Sequence, residues 1–383
     1  MLLGDNSALR PTIFAEMTAL ANATGAINLG QGFPDTDGPS PVADAAIAAI
    51  RAGHNQYAPG RGIAELRRAI ADHQWRFYGI DLDPDTEVLV TAGATEAITA
   101  AICALCEPGH EVLTFEPFYD SYAAATALAG ATLRTVTLRP PRFDYEPADL
   151  EAAIGPRTRL LVLNTPHNPT GAVFGPGELA HIARLAVEHD LLVLTDEVYE
   201  HMVFDGRHVP IESLPGMAGR TLTVSSAGKT FSFTGWKIGW VCGPEALVDA
   251  VRTVKQYLTY VNGTPFQHAV AAGLGLDDEY FDGLVDDLRA KRDLLCEGLD
   301  AAGFEVHRPA GTYFVTADAS PLGGDDAMAF CLDLPERCGV AAIPNSVFYQ
   351  HPERGRGLVR FTFTKRREVL EEAVERLRRL ASG

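Results

Sequence analysis

The chain has 383 residues, which is long enough for two domains and a large buried core. Hydrophobic residues make up 46% of the sequence and charged residues 21%, as in an ordinary globular protein, and no uninterrupted apolar run is long enough to span a bilayer. The formal net charge of −18 argues against nucleic acid or an anionic membrane surface as a main partner.

The N-terminus and the cysteines predict a reduced, cytoplasmic protein. The opening MLLGDNSALRP lacks a basic head followed by a long apolar stretch, so we expect no secretory signal. Cys103 and Cys106 form a C-x-x-C motif, but they lie in EAITAAICALC, which has the pattern of a buried helix. The other four cysteines are scattered, and we expect no metal site.

In chain order, a helix is predicted first at Thr12–Thr24, and strands and helices then alternate between about residues 85 and 245. The apolar runs of strand length are Glu87–Thr91, Glu111–Phe115, Thr132–Leu138, Arg159–Leu163, Leu191–Thr195, Thr221–Ser225 and Ile238–Cys242. The helix-like segments between them are Thr95–Leu105, Ser121–Ala129 and Gly177–Glu188. This alternation predicts an α/β fold with a mostly parallel seven-stranded sheet, whose functional loops gather at the carboxyl ends of the strands.

The C-terminal part has a different pattern, typical of a smaller α+β unit. A long charged helix is predicted at Asp278–Gly303 and a final helix at Arg367–Leu380. Strand-like pieces lie between them, at Glu305–His307, Tyr313–Thr316 and Leu358–Thr364. We therefore expect a large domain over residues 38–275, and a small domain that joins residues 1–37 to residues 276–383.

The stretch SSAGKTFSFTGWKIGW, residues 225–240, contains a Gly-Lys-Thr directly after a predicted strand. A phosphate-binding loop of the G-x-x-x-x-G-K-[ST] type needs a glycine five residues before Gly228, where this chain has Thr223. No G-x-G-x-x-G dinucleotide loop follows the early strands either. The sequence therefore argues against a nucleoside triphosphatase, and Lys229 needs another explanation.

Most of the other polar motifs also follow strands. They are TAGATEA at 91–97, PFYDSY at 117–122, NTPHNPTG at 164–171 and DEVY at 196–199, together with NQYAPG at 55–60 and VRFTF at 359–363. Taken singly, each has a structural explanation: Asn-Pro forms turns, Asp196 could cap a helix and Arg360 could be a surface ion pair.

Together, and across nearly the whole chain, these motifs resemble the class I/II aminotransferases, the fold-type I enzymes that depend on pyridoxal 5'-phosphate. The most specific matches are SSAGKTFSFTGWKIGW, NTPHNPTG, DEVYEHMVFDG and NLGQGFPD. Within the family the chain is similar to the kynurenine/glutamine/methionine aminotransferase group and to bacterial N-succinyldiaminopimelate aminotransferases.

The resemblance implies that Lys229, Asp196 and Tyr199 are catalytic. Lys229 would hold the cofactor aldehyde as a Schiff base and later move a proton, tasks that only an amine can combine. A free lysine, with a pKa of ~10.4, is a poor base at neutral pH, but nearby cations and partial desolvation can lower that pKa. Asp196 would keep the pyridine nitrogen protonated, so that the ring acts as an electron sink, and Tyr199 would bond the ring O3′.

The resemblance also implies the other cofactor contacts. Ala94 and Thr95 open a helix directly after a strand, so their amides would meet the phosphate, with Ser226 and Lys237 beside them. Many relatives have arginine where this chain has Lys237, which keeps the charge but loses the two-pronged hydrogen bonding of a guanidinium. Tyr119 would stack on the ring, next to Phe118.

Substrate contacts follow in the same way. Arg360 would grip the substrate α-carboxylate, helped by Asn168, which would also reach O3′, and Gly32 would line the same end of the pocket. Tyr57 matches a tyrosine that reaches the phosphate in the neighbouring subunit, so we expect a homodimer with shared active sites.

The function implied is a ping-pong transfer of an amino group between an L-amino acid and a 2-oxo acid. The same residues would also support β-elimination by a C–S lyase on cysteine conjugates or cystathionine. A transcription regulator with an aminotransferase-like domain would need a DNA-binding module in front, and we expect none.

The substrate side chain is left open by the sequence. By resemblance, the pocket walls are Phe33, Tyr313, Phe266 and Val261–Thr264. An N-succinyldiaminopimelate substrate would need a further cation, for which Arg10, Arg61 and Arg142 are the candidates.

Overall fold

The computed structural model describes residues 13–382, which contain thirteen α-helices and thirteen strands. The helices are α1 Ile13–Thr24, α2 Ser40–Arg51, α3 Ala64–Tyr78, α4 Gly93–Leu105, α5 Ser121–Leu128, α6 Pro147–Ala153, α7 Pro176–Glu188, α8 Ala227–Thr230, α9 Glu245–Lys255, α10 Thr264–Leu274, α11 Asp278–Ala301, α12 Ala327–Cys338 and α13 Arg367–Leu377. The strands are β1 Ile27–Asn28, β2 Val88–Thr91, β3 Glu111–Glu116, β4 Thr132–Thr137, β5 Thr158–Asn164, β6 Leu192–Asp196, β7 Thr221–Ser226, β8 Gly239–Cys242, β9 Glu305–His307, β10 Phe314–Asp318, β11 Val340–Ala341, β12 Ile343–Pro344 and β13 Leu358–Thr362.

The predicted α/β fold is confirmed by one seven-stranded sheet with the order β2-β8-β7-β6-β5-β3-β4. The five strands from β7 to β4 are parallel, and β8 runs antiparallel to both β2 and β7. All seven predicted strands lie in this sheet, with ends shifted by one residue at most. The predicted first helix begins at Ile13, and Thr12 lies outside the described residues.

Both faces of this sheet are covered, as the sequence of β5 illustrates. Leu160 and Val162 pack into one apolar cluster with α4, whereas Leu161 and Leu163 pack into a second cluster with α7. Side chains alternate between the two faces of a strand, so a run of consecutive apolar residues suits a strand that is buried on both sides.

The register of the sheet brings the carboxyl ends of the central strands together. Asn164 at the end of β5 pairs with Asp196 at the end of β6, and Asp196 in turn pairs with Val224 in β7. Ser226 at the end of β7 pairs with Gly239 at the start of β8. The polar residues that follow these strands therefore meet at one edge of the sheet.

A second, antiparallel sheet has the order β12-β13-β10-β9 and packs with α11, α12 and α13. The short strand β1 pairs with β11, Ile27 opposite Val340, so the N-terminal segment joins the C-terminal part of the chain. The long charged helix ends at Ala301 and the last helix at Leu377, each slightly earlier than predicted. Among the described residues, no helix has the length and apolarity needed to cross a membrane.

Candidate active site

A cavity of about 230 Å³ lies at the carboxyl edge of the large sheet, where the sequence predicts the functional loops. It is lined by Gly93, Ala94, Thr95, Tyr119, Asn164, Asn168, Asp196, Val198, Tyr199, Ser226, Gly228, Lys229, Thr234, Lys237 and Ile238. Nine of the predicted site residues are therefore gathered here. A larger cleft of about 610 Å³ around Arg142 and Arg308 contains none of them, so the smaller cavity is the candidate site.

Lys229 lies in the short helix α8, one turn beyond the end of β7. Its Nζ donates a 3.0 Å hydrogen bond to the hydroxyl of Tyr313, which itself donates to the carbonyl of Gly32 at 2.6 Å. Burial lowers the pKa of Lys229, but the neighbouring Tyr313, Tyr119 and Asp196 outweigh it, so the pKa is raised. We expected nearby cations and desolvation to lower this pKa and Tyr313 only to line the pocket, and the direction of the shift is the opposite.

Asp196 is the last residue of β6 and is only 4% exposed. Burial raises its pKa to about 6, although Tyr122 opposes the shift by donating a 2.6 Å hydrogen bond from its hydroxyl to Oδ2. The adjacent Glu197 bonds the buried His208 at 2.6 Å instead, as expected from the alternation of side chains along a strand. Tyr122 was not predicted, because it lies 74 residues before its partner.

The loop after β5 is held by Asn164, which the sequence analysis did not assign. Its side chain donates to the backbone carbonyl of Asp196 at 2.8 Å and accepts from the backbone amide of Asn168. Asn168 Oδ1 accepts a 2.9 Å hydrogen bond from Arg360, which leaves the amide nitrogen of Asn168 as a donor. Tyr199 is buried against Tyr313, and burial raises the pKa of the Tyr199 hydroxyl well above its usual range.

The opposite side of the cavity suits an anion. Helix α4 begins at Gly93 directly after β2, and the residue before it is Ala92, whose methyl group cannot cap the first amides. Lys237 has left-handed backbone angles, φ 54° and ψ 47°. Its Nζ lies close to Gly93, since a Cβ added at Gly93 would be 3.1 Å from that Nζ. Burial and the charge of Lys229 lower the pKa of Lys237, and an anion between these two cations would relieve that repulsion.

Glycine at 239 permits the close approach of β8 to this helix start. A Cβ at Gly239 would lie 2.6 Å from the carbonyl carbon of Gly93 and 2.8 Å from the amide nitrogen of Ala94. This close approach holds two sources of hydrogen-bond donors side by side. One is the start of α4, and the other is the β7–β8 connection with Ser226 and Lys237.

Arg360, in β13, lies next to the cavity rather than in its lining, and touches it through Asn168. The residue is 1% exposed, and its guanidinium donates to the carbonyl of Gly30 at 3.0 Å and stands over the ring of Phe314 at 4.1 Å. Burial lowers its pKa to about 10. Among the described residues, no carboxylate forms an ion pair with it and its Nε has no hydrogen-bond partner. An anionic ligand would compensate a buried guanidinium that has no carboxylate partner.

Several predicted residues lie away from the cavity. Tyr57 is 83% exposed and lines a separate surface cleft with Val261–Thr264. Arg61 bonds Asp249 and Arg142 bonds Asp144, so neither is placed to meet a substrate in the cavity, and Arg10 lies outside the described residues. The carbonyl of Gly32 accepts a hydrogen bond from the Tyr313 hydroxyl. A Cβ added at Gly32 would lie 2.5 Å from the Phe314 ring, which leaves no room for a side chain.

The residues fit a ligand with a reactive carbonyl, a basic ring nitrogen and a phosphate. The amine of Lys229 could attack the carbonyl, and the buried carboxylate of Asp196 lacks a cation in hydrogen-bond contact among the described residues. The start of α4, with Ser226 and Lys237, supplies donors for a dianion. Pyridoxal 5'-phosphate carries all three groups, so the residues of the cavity fit this cofactor.

Comparisons with known proteins agree with this chemistry. The family model described as "Aminotransferase class I and II" matches residues 24–377. A protein of Mycobacterium tuberculosis named a probable N-succinyldiaminopimelate aminotransferase is 55% identical, with 98% of each chain covered. The methionine aminotransferase of Escherichia coli is 43% identical, with 97% of this chain and 96% of the relative covered. The solved N-succinyldiaminopimelate aminotransferase of M. tuberculosis superposes with a TM-score of 0.95 at 56% identity, over 98% of this chain and 99% of that one.

Proposed function

The chain belongs to the class I and II aminotransferases, enzymes that depend on pyridoxal 5'-phosphate, and we propose that Lys229, Asp196 and Tyr199 carry the reaction in the cavity described above. The observation that supports this most directly is the meeting of the Lys229 amine, the buried Asp196 carboxylate and the start of α4 in one enclosed space. When bound, pyridoxal phosphate delocalises the electrons left at the α-carbon after proton loss.

In this proposal Lys229 has two tasks, covalent attachment of the cofactor and transfer of the α-proton. An attacking amine must be unprotonated, whereas the hydrogen bond to Tyr313 and the charge of Asp196 raise the pKa of Lys229. A positive charge on the ring nitrogen would neutralise the charge of Asp196, which is one of the charges that raise the pKa of Lys229. The pKa of Lys229 would then fall, which favours the unprotonated amine. Tyr313 would then accept a hydrogen bond from the amine whenever Lys229 is not attached.

Asp196 would pair with the protonated ring nitrogen, with Tyr122 fixing one carboxylate oxygen. Tyr199 and the amide nitrogen of Asn168 would donate to the ring hydroxyl oxygen, and Tyr119 would cover the ring face. The amides of Ala94 and Thr95 would hold the phosphate together with Ser226 and Lys237.

Arg360 would bind the substrate α-carboxylate, since its buried charge has no carboxylate partner among the described residues. Asn168 would contact the same carboxylate, and Gly32 would bound that end of the pocket. Fixing the carboxylate restricts the orientation of the α-carbon relative to Lys229, which is the purpose of such pairing.

The overall reaction in this proposal is a ping-pong exchange of an amino group between an L-amino acid and a 2-oxo acid. We propose N-succinyldiaminopimelate, or its 2-oxo counterpart, as the substrate to test first, because the M. tuberculosis relative carries that name and is 55% identical. Methionine is the alternative from the E. coli relative. Neither of these relatives is named a lyase, and nothing in the site favours the C–S lyase alternative.

The proposal includes a homodimer, a two-domain division and a cytoplasmic location. The exposed Tyr57 suits a residue that completes the partner's phosphate site. The two separate sheets suit a large domain at 38–275 and a small domain of residues 1–37 with 276–383, of which residues 1–12 lie outside the described part. All six cysteines are free, as a reducing compartment would keep them.

Reduction with borohydride tests the central assignment. The purified protein should absorb visible light, and borohydride followed by proteolysis should place the cofactor on the peptide that contains Lys229. The Lys229→Ala variant should lose the covalent adduct. A colourless protein that does not respond to pyridoxal phosphate would contradict the proposal. A panel of amino donors with one fixed 2-oxo acid, followed by the reverse, would then identify the substrate.

A further inference from the structure

A second cluster of ligand-type side chains lies outside the cavity, between α3 and the turn that follows β6. His73, on α3, places its Nε2 2.7 Å from the Nε2 of His201. A carboxylate oxygen of Glu200 lies within 4.8 Å of the ligand atoms of both histidines. The two histidines are 128 residues apart in the chain, so no spacing motif could have predicted this cluster.

Glu200 is incompletely satisfied. It is 4% exposed, and Oε1 accepts a 2.6 Å hydrogen bond from Ser225. Oε2 is buried and makes no close hydrogen bond among the described residues, and the Tyr78 hydroxyl is the donor directed at this carboxyl group. Such an atom in a native protein calls for an explanation, and an ion is one.

The positively charged side chains near this cluster already have acidic partners. His208 bonds Glu197 at 2.6 Å, and Arg76 forms an ion pair with Asp278 while standing over the ring of Phe77. Arg76 and His208 are the cations whose repulsion a metal ion would have to overcome, because Arg76 acts on both histidines and His208 acts on His201. Glu197 offsets the charge of His208, to which it is bonded, and Glu200 is the carboxylate left to attract the ion.

Both histidines are suited to bind a metal at neutral pH. Burial lowers the pKa of His73 to about 3, with Arg76 adding to the shift, and burial lowers the pKa of His201 well below its usual value, with His73, His208 and Arg76 adding to it in that order. One of the two Nε2 atoms carries the proton of the hydrogen bond between them, and zinc binding would move that proton to the Nδ1 of the same ring, so that both Nε2 lone pairs face the ion.

We propose that His73, His201 and Glu200 form a Zn²⁺ site that ties α3 to the turn carrying Tyr199. Two imidazole nitrogens and one carboxylate oxygen are a ligand set that zinc accepts, with a fourth position for water or the Tyr78 hydroxyl. At zinc–nitrogen distances of about 2.0–2.1 Å in tetrahedral geometry, the two nitrogens would move apart to about 3.3 Å. The role is structural, since the cluster is separate from the residues that line the catalytic cavity.

Zinc titration of the chelator-treated, cofactor-loaded enzyme tests the site. We expect one zinc per chain by elemental analysis after dialysis, and a rise in Tm of about 3 °C or more at 100 µM zinc. Cobalt(II) should give the visible absorption of a tetrahedral ion at wavelengths longer than the cofactor band. His201→Gln should lose both the zinc and the Tm shift.

Glu200→Gln distinguishes a missing ligand from a misfolded chain. Burial raises the pKa of Glu200, so the neutral amide should be tolerated in the zinc-free protein, and its Tm without zinc should match or exceed that of the wild type. The zinc-dependent rise should nevertheless disappear. His268→Gln is the matched control, because it removes one member of the His54–His268 pair, whose ring centroids are 4.1 Å apart, without touching the cluster.

Each outcome decides the matter. Zinc bound at one per chain, and lost in the His201 and Glu200 variants but kept in the His268 variant, supports the site. No zinc above background, or equal zinc in all four proteins, overturns it and leaves a histidine–histidine hydrogen bond of the core.

Discussion

Asp196 and Arg360 are single residues whose charges are buried before any ligand binds. A carboxyl with a pKa raised to about 6 and a guanidinium with a pKa lowered to about 10 both show that burial disfavours the charged form. Neither forms an ion pair among the described residues. The ligands of the proposed reaction would supply the missing charges, a protonated ring nitrogen for one and a carboxylate for the other.

Asp196→Asn should separate stability from activity. Folding raises the pKa of Asp196 from its usual 3.8 to about 6. The contribution of this residue to the free energy of unfolding is therefore fully present below about pH 4 and is lost as the pH rises through 6. At pH 8 the cofactor-free variant should therefore be more stable than the wild type, by up to about 3 kcal/mol. At pH 4 the difference should vanish, while kcat falls on the order of 100-fold or more at every pH because the ring charge loses its partner.

Denaturant unfolding of the cofactor-free proteins at the two pH values measures this difference. Asp190→Asn is the matched control, since Asp190 is an exposed acid paired with Arg220. A variant as stable as the wild type at pH 8 would show that the Asp196 charge is not costly in the cofactor-free fold.

Tyr313→Phe should change the titration of Lys229. The Tyr313 hydroxyl accepts from Nζ and raises the pKa of Lys229, so its removal should lower that pKa. Attachment of the cofactor needs the unprotonated amine, and the pH midpoint of the attachment rate should move to lower pH. Stopped-flow absorbance on the cofactor-free protein measures that midpoint. Tyr349→Phe is the control, because the buried Tyr349 hydroxyl has no hydrogen-bond partner among the described residues; an unchanged midpoint in Tyr313→Phe would refute the role.

At the scale of elements, the start of α4 depends on how closely β8 approaches it. Gly239→Ala places a methyl group 2.6 Å from the backbone of Gly93, so the strand and the helix must separate. We expect a loss of about 1–3 kcal/mol in the free energy of unfolding. Cofactor affinity should fall about tenfold, because the phosphate donors on α4 and at Lys237 move apart.

Gly235→Ala provides the comparison for this substitution. A Cβ at Gly235 would meet no atom within 4 Å, and the residue lies in the same β7–β8 connection. Its stability and its cofactor dissociation constant, measured by fluorescence titration, should match those of the wild type. Equal losses in both variants would mean that the connection as a whole, and not the contact with α4, is sensitive.

The elements also show how far sequence patterns reach. Strands β2 to β8 were predicted because apolar runs in a doubly covered sheet are distinct, and Lys229 and Asp196 because they sit in specific local motifs. Tyr122, Tyr313 and Asn164 were not predicted as hydrogen-bond partners, because those contacts join residues 74, 84 and 32 positions apart. Seven helices, α2, α3, α6, α8, α9, α10 and α12, were not predicted; the apolar residues Val42 and Ala46 of α2, for example, pack with Ala269 of α10, another helix that was not predicted.

At the scale of the whole molecule, Tyr57 lies in a surface cleft and does not line the cavity of its own chain. Tyr57 and Tyr257 are each 83% exposed, and Leu258 and Tyr260 beside them are half exposed. Exposed apolar residues grouped in this way are typical of an interaction surface. A second copy of the chain is the partner that the proposed shared active site requires, and such an interface would bury both Tyr57 residues by symmetry.

Mixing two inactive variants tests the shared site. Lys229→Ala removes the attached amine, and Tyr57→Ala removes the residue proposed to complete the partner's phosphate site, so each homodimer should have low activity. In a mixed dimer, one site combines the intact Lys229 of one chain with the intact Tyr57 of the other. After unfolding and refolding an equal mixture, about a quarter of all sites should therefore be fully active by random pairing. Trp75→Ala, which alters another exposed aromatic residue, 62% exposed against 83% for Tyr57, should be active alone. No recovery of activity, with a dimer seen by light scattering, would place Tyr57 outside the partner's site.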